Sequence, residues 1–316
     1  MIIKVLDSST LGDDIDLYAI KSMGDVTIYN KTSPDEICER ITDAEVLILN
    51  KVKLNRENLP SAKNLKLICL TATGFDNVDI AYCKENNIAV CNVCGYSTDS
   101  VAQLTVSLVL SLLMHIDEYN EYVKDGSYTK SGVHNHLKPV FREISSLTWG
   151  IVGYGNIGKK VADVAKAFGC NILAYKKTPT DEVNCVDIDT LCKESDIITL
   201  HLPLSADTKE IINKERLNMM KKSAILVNMA RGAVTNEFAI AEAIKNNKLG
   251  GFATDVYSVE PLQKDNPLNE IFEYKNVLLT PHMAWGAYES RVRCMEEVKK
   301  NIESFYKSEI RNRVDI

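Results

Sequence analysis

Eleven short apolar runs, most of them separated by helical patterns, occupy the greater part of this chain and fall into two series. IIKVL, DVTIY, EVLIL, LKLICL and IAVCN form the first, and LTWGIVG, NILAY, DIITL, AILVN, GGFAT and NVLLT the second. Alternating strands and helices leave a right-handed crossover as the connection between neighbouring strands. Each series therefore predicts a parallel sheet with helices on both faces. The 316 residues suit about two domains. Ser33-Pro34-Asp35-Glu36 offers an N-cap residue followed by proline and predicts a helix start. Asp99 to Tyr122 reads as one long helix between the series, and Gly286 to Lys307 as another at the C-terminal end. A chain that enters its second domain through one long helix and leaves by another is expected to return to its first domain.

Hydrophobic residues make up 45% and charged residues 25%, an ordinary balance that excludes disordered, collagen-like and coiled-coil classes. Lys plus Arg number 37 against 43 Asp plus Glu, a net charge of −6. That disfavours a nucleic-acid surface, while a local cationic cluster could still hold a small anionic substrate. Nine scattered Cys do not read as a secreted disulfide framework. Cys91 and Cys94 have C-x-x-C spacing, but no second pair completes a zinc site, so both are read as small apolar residues around a strand end and no metal is expected. MIIKVLDSST has no signal-peptide pattern. Val101 to Ile116 is interrupted by Gln103, Thr105, Ser107 and Ser111, too short and polar to span a bilayer. The expectation is a cytoplasmic protein with no membrane partner.

Gly153-Tyr154-Gly155-Asn156-Ile157-Gly158 fits G-x-G-x-x-G between a strand pattern and the helical KKVADVAKAFG. The first glycine permits a tight turn, the second lets a pyrophosphate approach the backbone, and the third lets helix and strand pack closely. Free N–H groups at the helix start, on residues such as Asn156 and Ile157, then meet the phosphates. The next strand should end in an acidic residue for the ribose hydroxyls of NAD. Lys176 stands there instead, followed by Lys177 and Thr178. A cation attracts a 2′-phosphate and Thr178 can donate to it, which favours NADP(H) over NAD(H); the alternative is that both lysines are solvated loop charges.

Open α/β sheets bind ligands beyond the carboxyl ends of their strands. AILVN runs into Met229-Ala230-Arg231-Gly232, GGFAT into Asp255 and then Glu260, and NVLLT into Pro281-His282. An Arg fork holds a carboxylate and polarises a carbonyl, a His moves the alcohol proton, and a carboxylate beside it stabilises the imidazolium and orients the ring. Singly, each residue reads as a surface or structural group; the joint placement supplies what hydride transfer to a 2-oxo acid requires.

With these residues assembled, the chain resembles the D-2-hydroxyacid dehydrogenase family, and within it the glycerate dehydrogenase (hydroxypyruvate reductase) branch. The resemblance runs over nearly the whole chain, through LILNKVKL, TATGFDNVDI, SVAQLTVSLVL, GIVGYGNIGKKVA, HLPLSADTKEIIN, NMARGAVTNE, TDVYSVEP and TPHMAW. It implies an α/β fold of two doubly wound parallel-sheet domains. A Rossmann dinucleotide-binding domain, residues 99–285, is inserted into a flavodoxin-like substrate domain, residues 1–98 completed by 286–316. It implies that Arg231 binds and polarises the substrate, that His282 is the general acid/base, and that Glu260 is its partner. Asp255 is expected near the nicotinamide, and His201, Pro203, Thr208, Met229 and Ala230 beside the cofactor. The backbone around Thr73 and Gly74 is expected to bind the substrate carboxylate, with Asn50 and Lys51 nearby. The helix from Asp99 and the loop after Gly126 resemble the family's dimer-forming region, which implies a homodimer.

His134 and His136 have H-x-H spacing but no third ligand, so a solvated or interface loop is expected; His115 is expected to be structural within the long helix. Trp285 reads either as lining the substrate pocket or as a packing anchor. Two other activities share the fold. C-terminal-binding-protein corepressors sense a dinucleotide and work through protein partners, but no appended tail stands out here. Formate dehydrogenases resemble a Gln–His arrangement, whereas this chain offers Glu260. The reading is therefore an NAD(P)-dependent reductase of small 2-oxo acids, with hydroxypyruvate and glyoxylate as the substrates the resemblance favours.

Overall fold

A computed structural model describes residues 1–316. The chain divides into two compact units, Met1–Ser97 with Trp285–Ile316, and Thr98–Ala284. In the first unit, β1 (Ile2–Val5), β2 (Asp25–Ile28), β3 (Val46–Leu49), β4 (Leu67–Leu70) and β5 (Ala89–Cys91) form one parallel sheet in the order β2-β1-β3-β4-β5. This is the flavodoxin-like order. β3 and β4 are buried throughout, as a sheet covered on both faces demands. Their side chains alternate between two cores: Val46, Ile48, Leu67 and Cys69 face one side, and Leu47, Leu49, Ile68 and Leu70 the other. The C-terminal helix, Tyr288–Tyr306, lays Cys294, Val298 and Ile302 on the first of these cores. Their spacing of four residues keeps one helix face on the sheet.

In the second unit, β6 (Thr148–Val152), β7 (Asn171–Tyr175), β8 (Ile197–Leu200), β9 (Ile225–Asn228), β10 (Gly251–Thr254) and β11 (Val277–Leu279) pair in the order β11-β10-β9-β8-β6-β7. A single parallel bridge, Ala174 to Cys185, lies beyond β7. Ala174 N–H donates to Asn184 O and Val186 N–H to Ala174 O, each at 2.9 Å. Counting that bridge as a vestigial third strand restores the dinucleotide-fold order 3-2-1-4-5-6, with β11 added at the far edge. The helix Thr98–Met114 buries Val101, Ala102, Thr105, Leu108, Val109 and Leu112 along one stripe.

The long helix predicted over Asp99 to Tyr122 is two helices. Thr98–Met114 ends at His115, whose φ of +51° is left-handed, and Ile116–Lys124 departs at 60°. The second arm buries no residue, so once the apolar stripe ends nothing holds the chain on its course. His115 is therefore the break, with Nδ1 3.0 Å from Glu118 Oε1. The first-unit helix predicted from Ser33 begins only at Ile37: the Ser33 N–H and hydroxyl both donate to Glu36 Oε2, at 2.8 and 2.7 Å, closing a turn ahead of it. Cys91 is buried at the strand end, but Cys94 is exposed, and all nine thiols are free. No single helix is long and apolar enough to cross a membrane. His136 stacks on Tyr122 at 3.9 Å, and no three His, Cys, Asp or Glu side chains converge for a metal.

Candidate active site

In the second unit the strand order reverses between β6 and β8, and the glycine loop lies at the carboxyl ends of those strands. Gly153 has φ of +102°, and a Cβ there would stand 2.8 Å from the His201 carbonyl carbon and the Leu202 nitrogen. A Cβ on Gly158 would stand 2.2 Å from Gly153 O. By contrast, a Cβ on Gly155 would meet nothing within 4 Å. Two glycines are thus dictated by the protein's own packing, and the third fronts open space at the start of the helix Asn156–Ala167. The first N–H groups of a helix have no partner within it, so Asn156, Ile157 and Gly158 present donors to that space. Both ring nitrogens of His201, next to this loop, are shielded from solvent and lack a hydrogen-bond partner, although the residue as a whole is partly exposed. Burial pushes its imidazole down to about 3, so it is neutral, with one N–H to donate and one nitrogen to accept. An open glycine, aligned amides and an orphaned imidazole fit a dinucleotide.

Beyond β7, Lys176, Lys177 and Thr178 are exposed. Lys177 Nζ lies 2.9 Å from Asp207, which holds the Asp207 carboxyl below its ordinary range. One of the two cations is therefore partly neutralised. In the loop after β8, the Thr208 hydroxyl donates to Pro203 O and accepts from Ser205 N–H, both at 2.7 Å. That hydroxyl braces the segment carrying Pro203. Met229 and Ala230 are buried after β9. Asn228 fixes their turn, accepting from Ala230 N–H at 3.0 Å and donating to Arg231 O at 2.9 Å.

Arg231, Glu260 and His282 follow β9, β10 and β11 in turn. Arg231 donates to Ala230 O at 2.8 Å. Its neighbour Gly232 is packed so tightly that a Cβ would lie 1.9 Å from the Tyr257 carbonyl carbon. His282 Nδ1 lies 2.6 Å from Glu260 Oε2, with the side chains 26% and 30% exposed. The other carboxylate oxygen, Oε1, accepts from Tyr257 N–H at 3.1 Å. His282 has φ of +52°, a left-handed backbone that costs a residue with a Cβ on the order of 1 kcal/mol. Asp255 holds this turn closed. It is 1% exposed and accepts from Thr280 Oγ1 at 2.6 Å and from the Met283 and Ala284 N–H groups at 2.8 Å each. Its carboxylate is thus committed to the loop that carries His282.

Two further residues on this edge have no motif of their own. Glu237, 8% exposed, accepts from Ser258 N–H at 2.8 Å, Ser258 Oγ at 2.5 Å and Asn266 Nδ2 at 2.8 Å, anchoring the loop that presents Glu260. The Tyr257 hydroxyl donates to Thr280 O at 2.9 Å. Burial first, then the carboxylates of Asp255, Glu260 and Glu237, push this phenol up to about 12, so it remains a donor.

In the first unit, β1 and β3 flank the reversal of strand order. Asp7, just past β1, accepts from Asn50 N–H at 2.9 Å, Lys51 N–H at 2.6 Å and Val52 N–H at 3.1 Å. Burial raises its carboxyl above the ordinary range against the pull of those amides. Asp7 thereby shapes the loop of Asn50 and Lys51. Thr73 Oγ1 donates to Val93 O and Asn92 Nδ2 to Thr73 O, each at 2.8 Å, which fixes the turn of Thr73 and Gly74. Trp285 stands edge-on to Tyr96 with ring centroids 6.4 Å apart, against the core under the C-terminal helix. An acidic residue just beyond a strand end, at positions 7 and 255, is the signal that identifies such clamps.

Residues 106–284 match the model of the D-isomer specific 2-hydroxyacid dehydrogenase NAD-binding domain. The chain is 34% identical to a hydroxypyruvate reductase of Blautia hydrogenotrophica, over 97% of both proteins. Among solved structures it is similar to D-lactate dehydrogenase from Aquifex aeolicus complexed with NAD and lactic acid, with a TM-score of 0.87 and 30% identity over 100% of this chain and 99% of that one. It is similar too to an acyclic imino acid reductase in complex with NADPH and D-Arg, with a TM-score of 0.87 and 30% identity over 99% of this chain and 100% of that one.

Proposed function

The chain belongs to the D-isomer specific 2-hydroxyacid dehydrogenase family, and from that premise we propose that it reduces a small 2-oxo acid, of the hydroxypyruvate or glyoxylate kind, to the (R)-2-hydroxy acid. The observation that carries this reading is the 2.6 Å pairing of His282 Nδ1 with Glu260 on the sheet edge that also presents Arg231. When bound, a reduced nicotinamide dinucleotide supplies the hydride. Arg231 grips the substrate carboxylate and polarises its carbonyl. With Nδ1 held by Glu260, Nε2 of His282 is the nitrogen that faces the substrate, and it donates the proton that the carbonyl oxygen takes up as it becomes a hydroxyl. Glu260 stabilises the imidazolium before transfer. Asn50, Lys51 and the backbone of Thr73 and Gly74 bind the carboxylate. Asp255 takes part by fixing the His282 turn. Steady-state turnover of a 2-oxo acid panel with NADH and NADPH tests the reading; no turnover of any member with either cofactor removes it. A carboxylate beside an imidazole suits proton donation, which also argues against formate oxidation, where no alcohol proton is handled.

For the cofactor we favour NADPH. Lys176 makes no ion pair, whereas Lys177 is shared with Asp207, so Lys176 is the cation available to a 2′-phosphate. Exposed pairs contribute about 0–1 kcal/mol, and salt screens them. The expected preference is therefore a few-fold and shrinks as salt is raised. Lys176→Asp is expected to reverse the order of the two dissociation constants; an NADH preference in the parent protein overturns the assignment.

Val133, Leu137, Val140 and Phe141 are exposed at 54%, 65%, 78% and 41%, a run of apolar side chains in the loop that the family resemblance assigns to dimerisation. Clustered apolar exposure of this kind marks an interaction surface, and it supports a homodimer. Light scattering is expected to give twice the chain mass, falling toward one chain in Leu137→Asp/Val140→Asp; a monomeric parent contradicts it.

A further inference from the structure

We propose that Tyr257 is the positioning residue that sets Arg231, Glu260 and His282 in register with one another, an inference that rests on the reaction proposed above. Each of the three follows a different strand, and a loop after a strand has no regular hydrogen bonding to fix it against its neighbours. Tyr257 touches all three loops. Its carbonyl carbon lies where a side chain on Gly232 would fall, 1.9 Å from that Cβ position, so only a glycine beside Arg231 lets the two turns close. Its N–H donates to Glu260 Oε1 at 3.1 Å, leaving Oε2 for His282. Its hydroxyl donates to Thr280 O at 2.9 Å, the same oxygen that accepts from the His282 N–H at 3.1 Å. One residue thus holds the carboxylate by its backbone and the turn of the imidazole by its side chain. The ring between these contacts packs against the buried core of the second unit, which makes it a strut of fixed length. Glu237 braces the loop of Glu260, and Asp255 ties that loop to the turn of His282; Tyr257 adds the packing against Gly232 and the bond to the Glu260 carboxylate itself.

Tyr257→Phe removes the hydroxyl and keeps the strut. The loops then stay folded while the imidazole loses its registration against the carboxylate. Misplacement by about 1 Å costs up to about 10²-fold in rate, so the loss of one of several constraints is expected to lower kcat for 2-oxo acid reduction about tenfold. The dissociation constant of NADPH should be unchanged. In the Glu260→Gln background, Tyr257→Phe should change kcat less than twofold, because the pairing it protects is already lost. A packing role alone gives the same factor in both backgrounds, and that result overturns the proposal, as does an unchanged kcat. The low-field proton resonance of His282 Nδ1–H supplies a readout that needs no turnover: it should be present in the parent and broadened in Tyr257→Phe. If the parent reduces no 2-oxo acid, the reaction assigned above fails, and this resonance still decides the positioning role, which falls if the two proteins give the same signal.

Discussion

His282→Ala is expected to lower kcat for 2-oxo acid reduction by about 10²–10⁴-fold, the range that a positioned general acid contributes. The carbonyl oxygen gains negative charge as hydride arrives, and without the imidazole its proton must come from water. The dinucleotide fit rests on the glycine loop after β6 and on His201 after β8, whereas His282 follows β11. The NADPH dissociation constant should therefore stay within about twofold of the parent value. Because His282 has a φ of +52°, alanine at this position carries the same backbone cost and adds no new one. Melting temperature and NADPH binding, measured beside kcat, separate a chemical loss from a folding loss. An unchanged kcat takes His282 out of the mechanism.

The sheets are legible from sequence because buried parallel strands are short, apolar and flanked by turn residues, and β3, β4, β8, β9 and β10 are buried end to end. The break at His115 is not legible: no Gly or Pro marks it, and the apolar pattern reaches Ile116 before it fades. What ends the first helix is tertiary, the point where the core no longer lies beneath the chain. The same distinction runs through the site. Glycines 153, 155 and 158 carry a local signature because their roles are backbone roles. Glu237 and Tyr257 carry none, because their partners come from other loops; Glu237 reaches Ser258 and Asn266, and Tyr257 reaches Thr280. The Lys177–Asp207 pair is of this kind too. A sequence that shows two lysines after β7 does not show that one of them is matched by a carboxylate from the loop after β8.

Arg231→Lys is expected to be nearly as damaging as Arg231→Ala, each lowering kcat/KM on the order of 10²–10³-fold, the loss that follows removal of one donor to a developing oxyanion. Charge alone would predict otherwise, since lysine keeps it. The requirement is planar: a carboxylate oxygen and a carbonyl oxygen on adjacent carbons need donors fixed side by side, which a guanidinium offers and an ammonium on a flexible stem does not. The local structure sharpens this. Asn228 holds the Arg231 carbonyl at 2.9 Å, and Gly232 is pressed against Tyr257, so the backbone at 231 has little freedom to move a shorter or differently shaped head group into place. The guanidinium further donates to Ala230 O at 2.8 Å, a contact that orients the fork and that a single ammonium would have to give up in order to reach the substrate. The expected signature is a fall in kcat together with a rise in KM for the 2-oxo acid, at unchanged affinity for NADPH. Near-native kcat/KM in the lysine variant overturns two-point binding and leaves Arg231 as a point charge only.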